Sequence, residues 1–177
     1  TYYHCPQNGA LVTRIVTPQA CNLPRETIEG FAESVFSRLG IEPGADDSEF
    51  VDNIGGCVHR ADTVSYSLVV HEPERFDVYV PQTCGLFDTR QMVARALGHY
   101  VLHFSQDADS EMLVPTNLSG NATWEAGVFA LAFLAPSSVL RTEMIRANNV
   151  IVDVASILRV EPSVIRTRAR QLGLLAA

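Results

Sequence analysis

No stretch of roughly eighteen or more apolar residues occurs in this 177-residue chain, which argues against a membrane-spanning helix. The opening residues Thr1-Tyr2-Tyr3-His4-Cys5 lack a basic region followed by an apolar stretch, so they do not read as a secretory signal. The expected location is therefore the cytoplasm. The four cysteines, Cys5, Cys21, Cys57 and Cys84, form no C-x-x-C pair. Their wide, irregular gaps read as reduced, partly buried thiols rather than a cluster or zinc set. Lysine is absent and all thirteen basic residues are arginine, as a GC-rich genome would favour. Positive charge is scarce overall. A net charge of −7 argues against general affinity for nucleic acid. Internal repeats and low-complexity segments are absent too.

What is present is apolar and periodic. Hydrophobic residues make up 47% of the chain, enough for a sizeable core in one domain over residues 1–177. Residues 1–20 read as irregular, with a short strand at Ala10-Leu11-Val12. Asn22 is placed to cap a helix that carries Ile28, Phe31, Ala32, Val35, Phe36 and Leu39 at helical spacing and stops at Gly40. A short helix over Ser48–Ile54 ends at Gly55-Gly56. Three strands are expected, at Cys57–His59, Tyr66–His71 and Phe76–Val80. A strong helix over Asp88–Phe104 is followed by a polar loop, Ser105–Asn121, and by an apolar helix over Ala122–Ala135 that Pro136 ends. The remainder, 137–177, reads as a helical subdomain with helices near 137–147, 150–159 and 162–172. The order of helices, small sheet and helices makes the fold class α+β.

The most informative stretch is Arg90-Gln91-Met92-Val93-Ala94-Arg95-Ala96-Leu97-Gly98-His99-Tyr100-Val101-Leu102-His103. A second is Trp124-Glu125-Ala126-Gly127-Val128-Phe129-Ala130-Leu131-Ala132-Phe133-Leu134-Ala135-Pro136. Together they resemble the two site helices of the ImmA/IrrE family of zinc metallopeptidases. There the first helix reads approximately R-x-x-[IL]-A-H-E-L-G-H-x-L-L-H and the second E-A-N-x-F-A-x-x-L-L-M-P. The element order also matches, from the N-terminal helix and the Gly55–Val58 turn to the closing segment Leu158–Leu174, so the resemblance covers about residues 20–175. It implies a zincin-like domain in which a small sheet is packed by helices, with the motif and ligand helices forming a cleft.

The family's chemistry requires two imidazoles at i and i+4, a carboxylate base beside the first, and a third ligand from the later helix. Here the first imidazole position is Arg95 and the base position is Ala96, so no catalytic residue remains. A guanidinium stays protonated and does not ligate zinc, and a methyl group takes no proton. His99 and Glu125 survive at their positions. His103, one turn beyond His99, leaves room for a displaced metal set of His99, His103 and Glu125. Structural, hydrogen-bonded histidines are the competing reading. The expectation is no cofactor and no stoichiometric zinc in the purified protein.

Arg95 suggests an alternative to the metal. Its guanidinium could pair with a buried Glu125 carboxylate and supply a fixed positive charge. The opposite reading leaves both groups in solvent. Arg95, Tyr100 and Trp124 are assigned to the cleft or its support, Arg90 to the surface, and His4, His59 and His71 to no role. Arg166, Arg168 and Arg170 lie in a segment with helix-turn-helix flavour, but the charge of the whole domain opposes DNA contact there.

The resemblance implies a role in bacterial or phage gene regulation. The first expectation is a pseudo-protease: a regulatory, sensing or interaction module whose partner is a repressor, another regulator, a toxin or a small-molecule effector. Family members include sensors of acyl-coenzyme-A metabolites, and any DNA-binding part here would come from elsewhere. The alternatives are an active zinc peptidase with a rearranged site that cleaves a repressor, and an antitoxin-like or inhibitor-like protein of a phage or mobile element.

Overall fold

The computed structural model describes residues 14–105 and 110–176. The segment Ala10–Val12, with His4 and Cys5, lies outside them. Among the described residues the fold is α+β, with a five-stranded mixed sheet and seven helices. The chain runs β1 (Arg14–Val16), α1 (Arg25–Leu39), α2 (Asp47–Asp52), β2 (Gly56–Ala61), β3 (Tyr66–Glu72) and β4 (Arg75–Pro81). It continues as α3 (Leu86–His103), β5 (Ser110–Pro115), α4 (Asn121–Leu134), α5 (Ser137–Arg146), α6 (Ile151–Leu158) and α7 (Pro162–Gln171). No single helix among the described residues is long and apolar enough to cross a membrane.

The sheet order is β1-β5-β3-β4-β2, parallel at both outer pairs and antiparallel between. Strand alternation sends Leu68, Val70, Phe76, Val78, Val80, Met112 and Val114 to one buried face. The odd-numbered residues of the same strands point to the other. The core that forms on the buried face draws residues from all seven helices, including Leu140, Val154 and Ile165 of the C-terminal segment.

Two strands differ from the expectation. β5 lies within the stretch read as a polar loop, and β1 within the segment read as irregular. Both are short, and each is held by a ladder to distant chain, Ile15 opposite Glu111 and Val70 opposite Met112. Asn22 does not cap the first helix. That position falls to Pro24, and Asn22 adopts a left-handed φ of 54°. Gly40 ends the helix in the left-handed conformation, as expected.

Arg90 is not a surface residue. It follows the inward phase of Val93, Ala94 and Leu97 and is 4% exposed. Its guanidinium reaches Asp47 at 3.2 Å and donates to the Ala45 carbonyl. Burial raises the Asp47 carboxyl to a pKa of about 6 against the opposing pull of Arg90.

Arg168 does not lie on a basic face either. It is 1% exposed and contacts Glu29 at 2.8 Å and Glu33 at 3.0 Å, while its Nε donates to the Ala135 carbonyl. Glu33 also accepts from the backbone N–H and hydroxyl of Ser137. One ionic knot thus joins α1, the end of α4, the start of α5 and α7. Arg166 and Arg170 are exposed.

Candidate functional site

α3 and α4 cross closely because position 98 carries no side chain. A Cβ on Gly98 would meet the Ala126 carbonyl oxygen at 2.9 Å and the Phe129 Cβ at 3.1 Å. The contact brings the end of α3 against the start of α4. There His99 contacts His103 and His103 contacts Glu125.

They meet as a chain rather than around one point. Cys21 donates its backbone N–H to Glu125 Oε2 at 3.0 Å, and Asn22 donates its own to Oε1 at 2.6 Å. His103 Nε2 is 2.8 Å from Glu125 Oε2, and His103 Nδ1 is 3.0 Å from His99 Nδ1. A carboxylate can only accept, so His103 carries its proton on Nε2. Only one of the two imidazoles can donate across the Nδ1–Nδ1 contact, so one carries a proton on Nδ1 and the other accepts there. The side chains of His103 and Glu125 are 0% and 1% exposed. Burial would raise the Glu125 carboxyl, but the hydrogen bonds from His103 and from Cys21 and Asn22 outweigh it and hold the carboxyl below its usual range.

The expected Arg95–Glu125 pair does not form. Arg95 is exposed and passes over Gly127 of α4, whose Cβ position lies 4.0 Å from a guanidinium nitrogen. Glu125 faces the other way, toward Cys21, Asn22 and His103. Those groups satisfy the carboxylate without arginine. The zinc centre implied by the resemblance does not fit these residues either: Arg95 points away, Ala96 is a buried methyl, and both Glu125 oxygens already accept hydrogen bonds. The Cys21 thiol forms a second grouping with His103 and Glu125, all ligand atoms within 4.8 Å. Nothing in the sequence flagged it, because Cys21 arrives from 104 residues away. Burial raises its thiol pKa.

Two cavities flank Arg95. The smaller, about 350 Å³, lies between α3 and the end of β5 and is lined by Asp88, Ala96, His99, Val114 and Thr116 among others. The larger, about 530 Å³, has Arg25, Gln91, Trp124 and Gln171 around Val128, Leu131 and Leu134. Arg95 lines both. Trp124 stands at the rim of the larger, with the Arg25 guanidinium 5.8 Å from its ring centre. Tyr100 lines neither. It stacks on Phe76 at 4.3 Å, and its hydroxyl accepts the Glu74 N–H in the β3–β4 turn. His59 and His71, given no role from the sequence, both bond to Asp77 on the sheet face away from the core.

His99 gives the site a pH signature. Burial, aided by His103 and Arg95, depresses its pKa to about 3. An unfolded histidine titrates near 6.5, so between those values the unfolded chain binds the extra proton and stability falls as pH falls. From pH 7.5 to 5 that contribution drops by about 2 kcal/mol. His99→Asn removes it. Urea unfolding at both pH values should show wild type losing about 2 kcal/mol more than the variant. Equal losses would contradict a neutral, buried His99.

A comparison with known protein families and with curated proteins finds no match. A solved structure described as a Mycobacterium tuberculosis transcriptional regulator is similar, with a TM-score of 0.60 and 16% sequence identity. The alignment covers 81% of this chain and 46% of that one, so this chain spans about half the length of that protein. At that identity the likeness is one of fold.

Proposed function

We propose that this chain is a regulatory module built on a degenerate ImmA/IrrE-like, zincin-type scaffold, whose cleft binds a ligand or partner and does not cut it. One observation carries the reading: the cleft stays open beside Ala96 and His99, while Glu125 is withdrawn into a hydrogen-bond chain that fastens Cys21 and Asn22. A hydrolytic site would need a base at Ala96 and a free carboxylate at Glu125. The fold shared with a protein described as a transcriptional regulator agrees with a place in gene regulation. The larger cavity, on the other side of Arg95, suits an anionic, partly apolar effector or peptide: Arg25 and Arg95 supply positive charge, and Val128, Leu131 and Leu134 an apolar floor.

The second reading, a peptidase with a rearranged site, is favoured by the meeting of His99, His103 and Glu125. Cleavage assays separate the two. Casein and helix-turn-helix repressors should remain intact with added zinc, because the missing base is worth roughly two to four orders of magnitude in rate. Cleavage that a chelator stops and His99→Asn abolishes would overturn the proposal and establish the second reading.

A further inference from the structure

The face of the sheet turned away from the core carries a different group of chemistry. On β2, Cys57 and His59 are two residues apart and so project from the same side of the strand. β4 lies beside it in parallel, with Asp77 opposite Cys57 and Tyr79 opposite His59. A thiol, an imidazole and a carboxylate thereby converge, their ligand atoms all within 4.8 Å of one another. His59 Nε2 is 2.7 Å from Asp77 Oδ1. On the third strand, β3, His71 Nε2 is 2.9 Å from the other oxygen, Asp77 Oδ2, and His71 Nδ1 is 3.3 Å from Glu111 on β5. The Tyr79 ring stacks on His59 at 5.1 Å and fixes its plane.

We propose that Cys57, His59 and Asp77 form a binding site for a zinc-class divalent metal on this sheet face, with His71 and Glu111 orienting the Asp77 carboxylate. The donor types are those of zinc and its neighbours, not of magnesium or calcium, which prefer oxygen alone. The carboxylate–imidazole–carboxylate line Glu111–His71–Asp77 is the kind of outer support that metal ligands receive. Tetrahedral bonds of about 2.0–2.3 Å place donor atoms roughly 3.3–3.8 Å apart. The His59–Asp77 contact therefore opens by somewhat under an ångström on binding, a rotamer adjustment for side chains that are half exposed. β2 is an edge strand and Cys57 is exposed, so the fourth position is open to water or to a ligand from a partner. Such an open site exchanges its metal, so titration is the appropriate test. It shares no residue with the α3–α4 cleft and holds or fails independently of the function proposed for it.

The test is titration of the chelator-treated protein with Co(II), followed by competition with Zn(II). The expected result is one equivalent bound, with a thiolate-to-cobalt charge-transfer band. Cys57→Ser abolishes the band, and His59→Ala and Asp77→Asn each weaken binding at least tenfold. His71→Ala, one step removed, weakens it by roughly 10–100-fold with the band retained. Circular dichroism confirms that each variant is folded, and Cys57→Ser, nearly isosteric, keeps the test meaningful if the others are not. No band in wild type at excess Co(II) would overturn the proposal. So would a band that survives Cys57→Ser and is lost with Cys21→Ser, which would move the metal to the Cys21–His103–Glu125 grouping.

Discussion

Arg168→Ala is expected to lower the unfolding free energy by about 3 kcal/mol, because it breaks an ionic network centred on a fully buried guanidinium and empties the space that it fills. Removing the guanidinium strands Glu29 and Glu33 on α1 and the Ala135 carbonyl at the end of α4. Glu33 keeps its contacts with Ser137, so the damage falls on the docking of α7. Arg166→Ala and Arg170→Ala, on the exposed side of the same helix, should change stability by no more than about 0.5 kcal/mol. Urea denaturation of the three variants checks the contrast. If Arg168→Ala unfolds no earlier than Arg166→Ala, the ionic knot does not hold the C-terminal helices.

The second large effect concerns Glu125. Glu125→Ala should cost about 3 kcal/mol or more, because it leaves His103 and two backbone N–H groups without their acceptor. Arg95→Ala should cost no more than about 0.5 kcal/mol. The double variant should equal the sum of the singles to within about 0.5 kcal/mol, since the two groups share no partner. Strong coupling, or an Arg95→Ala variant as unstable as Glu125→Ala, would restore the ion pair expected from the sequence. Limited proteolysis adds a local readout: Glu125→Ala should release the chain around Cys21 and Asn22 to cleavage first.

Helices were readable where apolar spacing was long, as in α1, α3 and α4, and three strands were readable from alternation and flanking turns. β5 was not. Only Met112 and Val114 of its residues point to the core, and its polar neighbours resemble a loop until β3 supplies a ladder. The buried arginines carried a signal that residue type obscured. Arg168 falls in phase with Val164, Ile165 and Leu172, and Arg90 with Val93, Ala94 and Leu97, which is the inward face in each case. For Arg95, shared phase with His99 misled: the long side chain carries its charge outward over Gly127. The partners of Glu125 on Cys21 and Asn22 could not be read at all, because backbone donors more than a hundred residues away leave no mark in local pattern.

Trp124 is the chain's only tryptophan, and it stands 48% exposed at the rim of the larger cavity beside Arg25. The indole is therefore a fluorophore already installed at the mouth of the groove. Its emission comes from one environment, so a change in colour or intensity reports events at that rim without any label. An occupant that displaces water from the ring or shifts the Arg25 guanidinium changes the signal directly. Metal arriving at Cys57 on the far face of the sheet has no such path to it. A simple optical titration can therefore screen candidate effectors and tell groove occupancy from events on the sheet.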